Sequence, residues 1–462
     1  MKDVNGSHVS RLMNRRAFLR AAGLAGTAAL AACAAPPASS PSASAPAAPA
    51  VQTGSATSAP AAASGGASGG ASGGEVALLW SDTDNRRPGL LADFTTATGI
   101  KVNQTIVQYN DRLNKITTAV SGGGGFDVVQ MDTIWTAQFA SAGWVEDLSD
   151  RITDAIKKDV PDSSLSAVRY NGKLFGMPLF NSAKHLFYNE KLLKDAKFDK
   201  PPVTLDEFVE QAKATTNTDK KQWGSVWCWK QAEGLICDWI ALMFTQSGAQ
   251  ILDANGKAVF NKMGGTEALQ WMTDLLYKHK VADPASLEFT EDDVQKSLFT
   301  GNYALTYNWE GVLPDGNDPT KSKAAPNVKI ALLPGSKDVK SASVNGSEGW
   351  AILKVAKNKD AAWKLLEYMA SPAWQKKAAI VAGDYPILSS LYSDPDLVKQ
   401  VQDFPLYGEQ FKYLAVRPQV PQYTQASDII QKHLHEALLG KAAPQDAMNA
   451  AADEVNKLST SP

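Results

Sequence analysis

Phe126-Asp127-Val128-Val129-Gln130-Met131-Asp132 is the stretch whose reading decides the fold. It is a short, mostly apolar run of strand length with a carboxylate at its end. The glycine run at 122–125 precedes it and lacks a following Lys-Ser/Thr, so it reads as a helix-to-strand turn and not a phosphate loop. Upstream, Tyr109 to Val120 places Leu113, Ile116 and Val120 at helical spacing, and Lys101 to Val107 alternates as a strand. A further helix through Leu90, Leu91 and Phe94 closes at Gly99, behind the apolar strand Val76-Ala77-Leu78-Leu79-Trp80. Strand, helix, strand, helix, strand predicts an α/β body with a parallel sheet and helices on its faces.

Downstream, Asn171-Gly172 between apolar residues predicts a hairpin. Thr204 with Glu207 three residues on predicts a helix cap. Asp253-Ala254-Asn255-Gly256 reads as a second hairpin turn that lacks the acidic positions of a calcium loop. Glu267 to Lys278 is an amphipathic helix, Phe299 to Tyr307 and Val328 to Leu333 are strands, and the remainder is largely helical.

The N-terminus reads differently. Arg15-Arg16-Ala17-Phe18-Leu19-Arg20, a small-residue apolar run and Leu30-Ala31-Ala32-Cys33 follow the order of a secretory signal, too short to span a bilayer. The paired arginines resemble a twin-arginine signal, with the general route as the alternative. The residues around Cys33 resemble a lipobox, in which the Cys33 thiol is lipidated. Residues 1–33 are therefore expected to be a signal peptide. Residues 34–74, almost all Ala, Ser, Pro, Gly and Thr without charge, are expected to be a disordered tether. This places the protein outside the cytoplasm, anchored to the outer face of the cell membrane by lipid alone.

Among 462 residues the formal net charge is −2, which carries no nucleic-acid footprint. With Cys33 lipidated, two of the three cysteines remain, and Cys228 and Cys237 form a candidate short-loop disulfide; the alternative is two free thiols. The five histidines form no metal set, no Gly-x-Ser-x-Gly elbow is present, and neither a metal nor a cofactor is expected. Twelve Trp and twelve Tyr supply aromatic faces that either pack the core or stack on sugar rings.

The order of segments resembles the extracellular solute-binding proteins of family 1, the maltose-binding-like group, over residues 75–462. "FTTATGIKV", "FDVVQMDTIWTAQFASAGWVEDLS", "NGKLFGMPLFNSAKHLFYNEKLL", "FTGNYALTYNW" and "SEGWAILKVAKNKDAAWKLLEYMASPAWQ" carry the resemblance. "MDTIWTAQFA", Asn308-Trp309 and "AVRPQVPQYTQASDIIQKHLHEALLGKAAPQDAM" are similar to the trehalose/maltose-binding branch, from which Glu310 in place of Pro departs. The resemblance implies a non-enzymatic two-lobe periplasmic-binding-protein fold of type II, with hinge strands and a ligand cleft between the lobes. It implies lobes of 75–183 with 309–348 and of 184–308 with 349–462. It also implies a monomer that captures a small sugar, such as trehalose or maltose, and delivers it to the permease subunits of an ABC transporter.

Candidate ligand residues follow from the same resemblance. Asp82 and Asp132 stand at strand ends, where a carboxylate accepts hydrogen bonds from paired hydroxyls; the competing role for Asp132 is a cap on the helix starting at Thr133. Tyr109 and Asn181 add polar groups. Trp309 and Trp350 stand at predicted crossings, with core packing as the alternative. Arg417 can fork two hydroxyls, and Trp229 and Glu233 face the second lobe. The rival functions are a secreted glycoside hydrolase using Asp82 and Asp132, or a binding protein for another carbohydrate, a polyol or a glycerol phosphate.

Overall fold

The computed structural model describes residues 74–81, 88–401 and 403–458. The expected signal peptide with Cys33, nearly all of the expected tether, and Asp82 lie outside the described residues.

Two sheets organise the body. The first runs in the order Lys101–Ile106, Glu75–Trp80, Val128–Asp132, Glu348–Ile352, Met177–Phe180. Its first three strands are parallel, with Leu78 opposite Val128. Helices Ala92–Thr98 and Tyr109–Ser121 make the crossovers. Leu78, Leu79, Val128, Val129 and Met131 are fully buried, as a parallel strand covered on both faces requires. Glu348–Ile352 runs antiparallel to Val128–Asp132, with Glu348 opposite Asp132.

The second sheet runs Val328–Ala331, His185–Asn189, Tyr303–Asn308, Trp223–Ser225. Helices Glu233–Met243, Gly265–Tyr277, Tyr423–Leu438 and Pro444–Leu458 supply residues to its core, through Trp239, Leu269, Leu434 and Met448. The turns follow their chemistry. Asn171 and Gly172 both take positive φ between the paired strands Arg169–Tyr170 and Lys173–Leu174. The Thr204 side chain caps its helix by accepting from the Glu207 N–H at 3.2 Å.

Two expectations are corrected here. Val328–Ala331, expected in the first lobe, is an edge strand of the second sheet, paired with His185–Asn189. Glu348–Ile352, most of it expected in the second lobe, lies inside the first sheet. The helices after it, Lys359–Met369 and Pro372–Ala382, pack Leu365, Leu366 and Trp374 into the same core as Leu78. An apolar run specifies a strand but not the sheet it joins.

The expected disulfide is also absent: Cys228 and Cys237 are free and buried. Cys228 packs with Val226 and Val294, whereas Cys237 lies in the main core of the second lobe. The Cys228 thiol is engaged elsewhere, with Sγ 3.3 Å from Asp238 Oδ2 and 3.2 Å from Lys184 Nζ.

Candidate functional site

Asp132 ends the third strand of the first sheet and caps the helix Thr133–Ser141. Its Oδ1 accepts from the Ile134 N–H at 3.2 Å, so the capping role is real. The carboxylate does more than cap. Oδ2 accepts from the Tyr109 hydroxyl at 2.7 Å, and Oδ1 accepts from Arg417 Nη2 at 3.2 Å.

Arg417 crosses to the second lobe. Its Nη1 donates to Glu233 Oε1 at 3.0 Å, and Nη2 also donates to the Asn345 carbonyl at 3.3 Å. Glu233 opens the helix Glu233–Met243, where a carboxylate is favoured by the helix dipole. Glu233 also accepts from the hydroxyls of Tyr423 (2.7 Å) and Ser427 (2.5 Å). Burial pushes the Glu233 carboxyl above the ordinary carboxylate range, against the opposing pull of Arg417 and these hydroxyls. Arg417 Nε is buried and has no hydrogen-bond partner among the described residues, as is also true of Arg112 Nε and Gln419 Oε1. A buried, unpaired donor on a charged group is costly.

Beneath Tyr109, Arg112 is fully buried, with Cζ 5.0 Å from the ring centroids of both Tyr109 and Trp135. It donates to both oxygens of Glu348, at 2.9 and 2.8 Å. Gln130 joins by donating to Glu348 Oε2 at 2.8 Å and accepting from the Ser81 N–H at 2.8 Å. This network fixes the strand ends from which Asp132 projects.

Trp309 follows the second-sheet strand Tyr303–Asn308 and is half-buried. Its Nε1 donates to Glu291 Oε1 at 3.2 Å, and Lys184 Nζ lies 5.3 Å from its ring centroid. Lys184 is fully buried and donates to Asp238 Oδ1 at 2.6 Å. Next to Trp309, Glu310 Oε2 accepts from Ser182 Oγ at 2.7 Å.

The other candidates stand apart from this cluster. Trp229 is fully buried and stacked on Trp227 at 5.2 Å. Trp350 is a core residue against Trp80, 5.7 Å between centroids. The Asn181 amide is consumed inside the first lobe, accepting from Ser164 Oγ and donating to the Pro386 carbonyl.

A family model for the bacterial extracellular solute-binding proteins matches residues 87–376. The chain belongs to that family. A probable ABC transporter-binding protein of Deinococcus radiodurans is 28% identical to this binding protein over 330 residues, 70% of this chain and 77% of the relative. Among solved structures, maltose-bound T. maritima MalE3 is similar with a TM-score of 0.76 at 28% identity, covering 83% of this chain and 99% of that one. An ABC transporter solute-binding protein of Agrobacterium radiobacter in complex with ribitol gives 0.74 at 27% identity, covering 84% and 99%.

The fold of this solute-binding protein is thus the two-lobe, type II periplasmic-binding-protein fold. No helix of the described residues is long and apolar enough to cross a membrane. Sequence reasoning had named Asp132, Tyr109, Glu233, Trp309 and Arg417, and the structure brings all but Trp309 into one hydrogen-bonded cluster. It had missed Arg112, Glu348, Lys184, Tyr423 and Ser427. The Arg112 and Glu348 partners lie 236 positions apart, and no local pattern marks such a pair.

Proposed function

We propose that this chain is the substrate-binding lipoprotein of an ABC importer and takes a small neutral carbohydrate between its lobes. A glucose-containing disaccharide such as trehalose or maltose is the preferred ligand. The observation that carries this reading is Arg417, held between Asp132 of the first lobe and Glu233 of the second with its buried Nε unpaired. A ligand oxygen that reached Nε as the lobes open would satisfy that donor. The hydroxyls of a sugar both donate and accept, so one ring can serve the carboxylates and the guanidinium without bringing in a charge of its own. Trp309 offers the aromatic face for the C–H side of the ring. The maltose and ribitol complexes of the similar structures support a polyhydroxylated ligand. The chain acts as a monomer, held at the outer face of the cell membrane by lipid on Cys33, and hands its ligand to the permease.

One observation favours the hydrolase reading: a buried carboxyl raised by its surroundings, as Glu233 is, suits a general acid. Against it, Arg417 lies between Glu233 and Asp132 and pairs with both, which favours two carboxylates over an acid and a base. Melting the protein with maltose, trehalose and ribitol tests binding, since a ligand at a hundred times its Kd stabilises the native state by about 2.7 kcal/mol. Assaying the same mixtures for released glucose tests catalysis. A rise in melting temperature without turnover is expected; turnover would overturn the binding reading.

A further inference from the structure

Of the three tryptophans considered for the ligand, Trp309 alone is not shut inside a core, so what fixes its ring matters for recognition. Two passages of the chain between the lobes meet at this ring, which itself follows the second-sheet strand Tyr303–Asn308. Ser182 is on the first, between Met177–Phe180 and His185–Asn189, and Gly346 is on the second, between Val328–Ala331 and Glu348–Ile352. The Gly346 N–H donates to the Ser182 carbonyl at 3.0 Å, and the Ser182 N–H donates to Ser347 Oγ at 3.2 Å.

A Cβ at Gly346 would collide with Trp309 Cζ3 and lie 2.8 Å from Cη2 and 3.0 Å from Ser182 Oγ. Gly346 is not among the glycines with positive φ, so backbone geometry does not require a glycine here. The requirement is space for the indole. The far side of the ring system is held by the hydrogen bond from Nε1 to Glu291 Oε1 at 3.2 Å. The ring is thus wedged between Glu291 and a position where even one methyl group is excluded.

We propose that Gly346 is a positioning residue for carbohydrate recognition: its missing side chain seats the Trp309 ring and ties the stacking surface to the second interlobe passage. This rests on the reading of Trp309 as the ring that stacks on the ligand. A methyl at 346 pushes the indole off its seat and disturbs the Nε1 hydrogen bond to Glu291 on the opposite side without removing any polar group. The stacking plane then no longer matches a ring held by Asp132, Glu233 and Arg417.

The test uses Gly346→Ala, Trp309→Leu and the double variant in the full chain labelled with 15N at the indoles. The Trp309 N–H resonance, assigned by its loss in Trp309→Phe, is expected to move in Gly346→Ala while those of the core tryptophans stay. With maltose and ribitol as probes, Gly346→Ala is expected to weaken binding about tenfold. The double variant should bind no more weakly than Trp309→Leu alone and should melt above Gly346→Ala, because the smaller side chain relieves the collision. An unmoved Trp309 resonance, or losses of affinity that add, would overturn the proposal. Unchanged affinity for both probes in Trp309→Leu, with the resonance shift still present in Gly346→Ala, would instead overturn the stacking role of Trp309.

Discussion

Replacing Arg417 by Met removes the guanidinium while keeping much of its apolar stem. It leaves the side chains of Asp132 and Glu233, 5% and 16% exposed, without their shared cation. Breaking a buried pair by removing one partner costs about 3–5 kcal/mol. Tyr109 and the Ile134 N–H remain on Asp132, and Tyr423 and Ser427 on Glu233, which places the expected loss at the lower end, about 3 kcal/mol. At about 2.1 cal/mol/K of unfolding entropy per residue, the folded body has about 0.8 kcal/mol/K, so the melting temperature should fall by about 4 °C. The loss should depend on pH, and its sign follows from Glu233. Burial already raises this carboxyl above its ordinary 4.5, so the folded state binds the proton more tightly than the unfolded chain. The stability this contributes is fully present below the unfolded value and is lost as pH rises through the folded one. Without Arg417, one influence that lowers the folded value is gone, and the value rises further. The deficit of Arg417→Met against wild type should therefore be largest near pH 8 and shrink toward pH 5, and adding Glu233→Gln should recover part of it. Calorimetric melts at the two pH values read this directly. An equal deficit at both, or a larger one at pH 5, would refute the reasoning from a buried, cation-dependent carboxylate.

Asp132→Ala should weaken binding of the preferred sugar about tenfold to a hundredfold, since a hydrogen bond to a charged group is worth about 1.5–3 kcal/mol. It should also lose about 1 kcal/mol of stability from the cap; a lowered melting temperature with wild-type affinity would show that capping is its whole role. Cys228 and Cys237 should both alkylate in denaturant without reductant and resist reagent in the native state, where burial pushes both thiols up. Resistance to alkylation in denaturant until reductant is added would restore the disulfide. Cys33→Ser should release the protein from the membrane fraction with its sugar affinity unchanged, and full retention would contradict lipid anchoring.

How much of this was legible in the sequence depended on whether the deciding contact was local. The strands at Val76–Trp80 and Val128–Asp132 announced themselves because a buried parallel strand must be apolar on both faces. The Asn171-Gly172 turn was legible because its positive φ values demand those residues. Sheet membership was not: Val328–Ala331 reads as a strand, but only its pairing partner places it in the second sheet, and Glu348–Ile352, inside a remainder expected to be largely helical, was not read as a strand at all. Trp350 and Trp229 misled for a related reason. An aromatic near the end of a strand or loop serves either a cleft or a core, and here both fill cores. Arg417 was accessible only through the resemblance of its segment, since its partners Asp132 and Glu233 lie 285 and 184 positions away. Lys184 and Arg112 gave no signal, because a buried cation is identified by the carboxylate it meets after folding.

The most direct measurement is isothermal titration of the purified binding protein and its Arg417→Met variant with a panel of maltose, trehalose, ribitol, glycerol phosphate and amino acids. A neutral sugar or polyol should bind wild type at one site per chain, and Arg417→Met should weaken that binding at least about tenfold. Binding of glycerol phosphate or an amino acid in preference to every sugar and polyol, or sugar binding indifferent to Arg417→Met, would contradict carbohydrate capture between Asp132 and Glu233.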